Sequence, residues 1–129
     1  MLVRRRKGLA GVMIAAVLAI AALALATTGI AKGGSKLSLR ASPTGALKFN
    51  KKSLTAKAGT VTIVMSNPKS SGLHHGIAVE GKGVDKDGPK VRPGKTSTLT
   101  VKLKKGTYTF YCPVDGHKNM GMKGKLVVK

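Results

Sequence analysis

Thr107-Tyr108-Thr109-Phe110-Tyr111-Cys112-Pro113-Val114-Asp115-Gly116-His117-Lys118-Asn119-Met120-Gly121-Met122 is followed by Lys123-Gly124-Lys125-Leu126-Val127-Val128. Two alternating runs enclose a polar, glycine-containing loop, the pattern of two strands and their connection. Residues two apart on a strand share a face, so Tyr108, Phe110 and Cys112 point one way. The apolar pair marks that face as the inner one. Cys112 is the chain's single cysteine, and it opens a loop that also carries His117, Met120 and Met122. A thiolate, an imidazole and a thioether are the soft and borderline donors of a copper electron-transfer site, which needs one more imidazole from elsewhere.

The other two histidines, His74 and His75, are adjacent. His75, Ile77 and Val79 alternate with Gly76, Ala78 and Glu80. This phase turns His75 inward with the apolar residues and His74 outward to solvent. His75 is therefore the expected second imidazole.

Working outward, the rest of the chain repeats the period of two. Leu37 and Leu39 predict a first strand, and Leu47 with Phe49 a second. Gly59-Thr-Val-Thr-Ile-Val-Met-Ser66 predicts a third, ended by Asn67-Pro68. Residues 68–73 read as a loop. Residues 81–95, rich in glycine, proline and charge, read as one long connection. Leu99, Val101 and Leu103 predict a further strand before the quoted stretch. No segment after residue 35 has helical periodicity. Many short strands with turn signals predict an all-β sandwich.

The start of the chain has a different composition. Arg4, Arg5, Arg6 and Lys7 precede an uninterrupted run of apolar residues and glycine from 9 to 26. Ala24-Leu25-Ala26 and Gly29-Ile30-Ala31 both suit a signal peptidase. Residues 1–31 are thus expected to be a signal peptide or a membrane anchor, residues 32–35 a linker, and residues 36–129 the folded domain. No cysteine lies near the cleavage region, which excludes a bacterial lipid anchor. Export implies a periplasmic or extracellular site. One cysteine allows no internal disulfide, and a lone thiol in an oxidising compartment needs something to hold it, which a metal does.

Charge gives a second line of inference. The formal net charge is +20, and the acids are only Glu80, Asp85, Asp87 and Asp115. Arg4 to Lys7 account for four positive charges, leaving +16 on residues 32–129. Such a domain is drawn to acidic surfaces: an acidic redox protein, an anionic membrane or a cell-wall polymer. Nucleic acid is not expected, because the only aromatics are Phe49, Tyr108, Phe110 and Tyr111 and none interleaves with a basic tract. Lys118 and Lys123 flank the ligand loop, and Lys69 lies before His75; these are the expected orienting charges for a partner.

From Tyr108 through Cys112, His117 and Met122 to Gly124 and Val128, together with the His75-x-Ile-x-Val segment, the chain resembles the plastocyanin and azurin family of blue copper proteins, the cupredoxins. The resemblance covers nearly the whole exported domain. It implies a Greek-key sandwich of about eight strands with a metal near one end. Carried over by position, the copper ligands would be His75, Cys112, His117 and Met122, with one copper per chain. The Gly-Met-x-Gly context favours Met122 over Met120 for the axial place. The family's common role is single-electron transfer between larger partners such as cytochromes, oxidases or reductases, as a monomer and without catalysis. One departure stands out. Many members carry a polar side chain after the upstream histidine, where it ties the ligand loops together, and this chain has Gly76. The backbone N–H groups of Gly76 and Val114 are candidates to hydrogen-bond the sulfur.

Other classes fit less well. A copper carrier or resistance protein would use the same donors without needing a low-rearrangement site. A binuclear copper domain needs two cysteines. A copper oxidase or nitrite reductase needs more histidines than three.

Overall fold

The computed structural model describes residues 34–129. The expected signal or anchor of residues 1–31 lies outside them. Eight strands form: β1 (Lys36–Arg40), β2 (Ser53–Ala56), β3 (Gly59–Ser66), β4 (Ala78–Gly81), β5 (Val84–Asp87), β6 (Thr96–Leu103), β7 (Gly106–Tyr111) and β8 (Lys123–Val128). A 3₁₀ turn covers Lys69–Ser71. The strands make two sheets, ordered β1-β3-β6 and β2-β8-β7-β4-β5.

The sandwich follows from the alternation. β3 buries Val61, Ile63 and Met65, and β6 buries Ser97, Leu99, Val101 and Leu103, while the residues between them face outward. From the other sheet, Val79, Tyr108, Phe110, Leu126 and Val128 meet them in one apolar cluster. Burying each large side chain contributes roughly 1.5–3 kcal/mol. Phe110 and Phe49 pack with ring centroids 5.7 Å apart. A side chain at Gly124 would enter the Phe110 ring, so β8 needs glycine beside β7 there. The Tyr108 hydroxyl donates to the Lys104 carbonyl at 2.7 Å and pins the β6–β7 turn.

Two sequence expectations fail locally. The predicted strand at Leu47–Phe49 is only an isolated bridge between Ala41 and Phe49. The strand in this region is β2, which runs parallel to β8 with Leu54 opposite Leu126. Its apolar positions are one leucine and one alanine, too weak an alternation to read. The long connection 81–95 also contains a strand. β5 folds back on β4 through Lys82 and Gly83, with φ of +48° and +80°. Positive φ at both turn residues is the geometry whose twist suits a two-residue hairpin, and Gly83 adopts it without strain. β5 is an edge strand with mostly exposed side chains, so its sequence carries no apolar period.

Candidate metal centre

Three loops meet at one end of the sandwich. The first, residues 67–77, delivers His75. The second, residues 88–95, runs beside it. The third, residues 112–122, connects β7 to β8. His75, Cys112 and Met122 are fully buried, and His117 is part-buried. The inward phase read for His75 holds, and His74 is exposed. Met120 is 71% exposed, whereas Met122 is buried in the same apolar cluster as Cys112.

The donor atoms converge. Cys112 Sγ lies 3.8 Å from His75 Nδ1 and 3.6 Å from His117 Nδ1. One donor atom from each of the three residues lies within 4.8 Å of the other two. The two rings stand 5.1 Å apart at 56°. A metal bonded to sulfur at about 2.3 Å and to nitrogen at about 2.0 Å, the lengths typical of zinc, separates S and N by about 3.7 Å at trigonal angles. The residues present therefore fit a metal held by one thiolate and two imidazoles, the donor set that suits copper in both of its common oxidation states.

Backbone hydrogen bonds set the third loop. Cys112 N–H donates to the Met122 carbonyl at 3.0 Å, and Met122 N–H donates to the His117 carbonyl at 3.0 Å. These two bonds couple Cys112, His117 and Met122. The loop closes through Gly121 at φ +104°, a conformation open to glycine.

Burial acts in opposite senses on the sulfur and the imidazoles. Burial pushes the Cys112 thiol up, partly offset by the Gly76 and Val114 N–H groups and more weakly by Lys90. The Gly76 N–H donates to Sγ at 3.5 Å. Burial, then His117, then His74 hold His75 down to about 4, so its imidazole is neutral near pH 7 and free to ligate. Burial also lowers His117.

Two positioning residues, Asn67 and Ser97, carried no sequence signal of that role. Asn67 is buried at the end of β3. Its Nδ2 donates to the carbonyls of Leu73 at 2.8 Å and Val91 at 3.1 Å, and its Oδ1 accepts from Ser71 Oγ at 2.6 Å. His75 and Val91 exchange two backbone bonds, of 3.1 and 2.7 Å. Asn67 thus grips both sides of the segment that presents His75. Ser97, buried on β6, donates to the Pro89 carbonyl at 2.6 Å. That carbonyl would lie 2.9 Å from a Cβ at position 76, and the Pro113 ring 3.1 Å from it. Gly76 is therefore where the three loops pack backbone to backbone, and a side chain has no room there. His75 Nε2 has no hydrogen-bond partner, so the ring is oriented by its backbone and packing.

A family profile described as copper binding proteins, plastocyanin/azurin family, matches residues 36–129. The chain belongs to the plastocyanin/azurin family. As in other cupredoxins, His75, Cys112 and His117 make a site for one copper ion. Solved structures agree on the fold. Auracyanin B superposes with a TM-score of 0.65 at 24% identity, over 73% of this chain and 88% of that one. Dithionite-reduced auracyanin from the photosynthetic bacterium Roseiflexus castenholzii gives 0.65 at 23% identity, over 75% and 99%. Copper nitrite reductase from Nitrosomonas europaea gives 0.61 at 23% identity, over 74% of this chain but 41% of that one. Comparison with curated protein sequences gives no significant match.

Proposed function

We propose that this cupredoxin carries single electrons between proteins outside the cytoplasm. His75, Cys112 and His117, with Met122 buried beside them, would hold the copper. The observation that carries this reading is the convergence of one buried cysteine sulfur and two neutral imidazoles on loops tied together by hydrogen bonds. Bound copper supplies a one-electron couple between its +1 and +2 states. The chain's part is to keep the donors still. Asn67, Ser97 and the His75–Val91 pairing fix the first two loops, and the Cys112–Met122–His117 bonds fix the third. Burial of Cys112 and Met122 keeps water from the sulfur atoms. The Gly76 N–H draws charge from the thiolate and favours the reduced state. His117 is the least buried of the four, which makes its ring edge the natural exit for the electron.

The basic head Arg4–Lys7 and the apolar run 9–26 support a place outside the cytoplasm. The reading needs no catalytic group, and none of the chain's residues is assigned one.

Loading the protein with Cu(II) should give one equivalent of metal and an intense visible thiolate-to-copper band. Cyclic voltammetry should then show a reversible one-electron wave. Cys112→Ser should abolish the band. A bound metal with no reversible wave would make the protein a copper carrier instead.

A further inference from the structure

We infer that an acidic redox partner docks on the cationic flank formed by Lys69, Lys90, Arg92 and Lys95, and not on the flank of Lys118 and Lys123. The inference rests on the proposed electron-carrier role and adds to it the location of the partner.

The Lys118 side is already neutralised. Lys118 Nζ lies 2.5 Å from Glu80 Oε1 and 4.4 Å over the Tyr111 ring. Asp85 and Asp87 accept hydrogen bonds from the Tyr111 hydroxyl at 3.1 and 3.2 Å. Lys118, Lys123 and Lys125 share a cleft with Glu80 and Asp85. Three of the domain's four acids thus stand among the lysines of that side, and its field is weak.

The two segments that form the other flank, residues 67–77 and 88–95, contain no acid. Lys69, Lys90, Arg92 and Lys95 are exposed, and among the described residues the ion pair found is Lys118–Glu80. Two segments that are distant in sequence are stitched together to form this flank. Asn67 N–H donates to the Lys95 carbonyl at 2.9 Å, and Gly94 N–H donates to the Asn67 carbonyl at 2.7 Å. A Cβ at Gly94 would lie 3.9 Å from the Lys69 Cβ. Val91, between Lys90 and Arg92, pairs with His75 itself. The charges are therefore rigidly attached to the segment that presents a copper ligand, and the field of Lys90 reaches the Cys112 sulfur. Leu73, 38% exposed between Lys69 and His75, adds an apolar contact beside them. A protein surface rich in carboxylates is the complement of this flank. Charge of one sign concentrated beside the segment that presents a copper ligand raises the rate of productive encounter.

The test compares two charge reversals of equal net change: Lys90→Glu with Arg92→Glu, and Lys118→Glu with Lys123→Glu. The full copper-loaded protein is used, and an unchanged visible band shows that each variant keeps its site. The probe is succinylated cytochrome c, an acidic haem protein, with electron exchange followed by stopped flow at about 0.01 M ionic strength, where the Debye length is about 30 Å. The Lys90/Arg92 reversal should slow exchange about tenfold, and the Lys118/Lys123 reversal less than about twofold. Equal slowing would mean that only net charge matters, and it would overturn the inference, as would a larger effect at Lys118/Lys123. Anionic lipid is tested by co-sedimentation with phosphatidylserine vesicles. Loss of vesicle binding in the Lys90/Arg92 variant with no change in exchange rate would assign the flank to a membrane and also overturn the inference. A wild-type band that a neutral quinol cannot bleach would instead refute the electron-carrier role itself.

Discussion

Asn67→Ala tests whether the loop carrying His75 is held by the buried amide. The side chain is 1% exposed and makes three hydrogen bonds: two donated, to Leu73 and Val91, and one accepted, from Ser71. All three partners keep another bond when it is removed. Ser71 Oγ still reaches the Leu73 carbonyl at 3.3 Å, and Val91 O still receives the His75 N–H. No group is fully orphaned, so the lower figure applies, about 1 kcal/mol per bond and about 3 kcal/mol in all. For a domain near 100 residues that lowers the midpoint of thermal unfolding by roughly 12–24 °C. Circular dichroism melts of the metal-free protein read this directly. Ser71→Ala leaves the buried Asn67 Oδ1 without its donor and should cost about 1–3 kcal/mol. Asn67→Asp should do no better than alanine, because a buried carboxylate would face two carbonyl oxygens. Hydrogen exchange at the His75 and Val91 amides should accelerate in step. A drop under about 4 °C with unchanged exchange at those amides would show that packing alone positions His75.

His75→Ala should weaken copper binding far more than His74→Ala, measured by competition with a chelator; equal effects would sink the assignment from strand phase. Met122→Leu should leave copper bound and raise the reduction potential, because losing a weak axial thioether disfavours Cu(II), while Met120→Leu should leave voltammetry unchanged. The metal-free protein should lose stability in acid. His75 binds its proton at about 4 when folded and at about 6.5 when unfolded, so the unfolded chain holds more protons between those values. Stability from this group is present above about pH 6.5 and falls as pH drops toward 4, by about 3 kcal/mol in total. Urea titrations at pH 7 and pH 4.5 measure it, and His75→Gln should flatten the difference.

Two of the copper donors were legible because they extend the phase of the strands they adjoin, β4 and β7. Cys112 continues the inward face of Tyr108 and Phe110, and His75 continues that of Ile77 and Val79, so a period of two was enough to aim both. The sandwich was legible for the same reason in β1, β3, β6, β7 and β8. β2 and β5 were not, since one offers a leucine and an alanine and the other is an exposed edge held by its turn. The pairing of Lys118 was not legible either. Glu80 is 38 residues away in sequence, and only the pairing of β4 with β7 brings it to Lys118.

The sequence by itself determined which atoms can bind metal, that they belong to a β-sandwich, and that the domain is strongly basic. Those are properties of residue type and local period. The tertiary structure alone decided how the site is made rigid and where its charge acts. The packing roles of Asn67, Ser97 and Gly76 cannot be read along the chain because their partners, Val91, Pro89 and Pro113, come from segments brought together only by folding. Likewise nineteen lysines and arginines scattered along residues 36–129 reveal no side. A side appears once three of the four acids are gathered on the β4–β5 hairpin and the 88–95 loop is sewn to His75, because a field is a sum over positions in space and not along the chain.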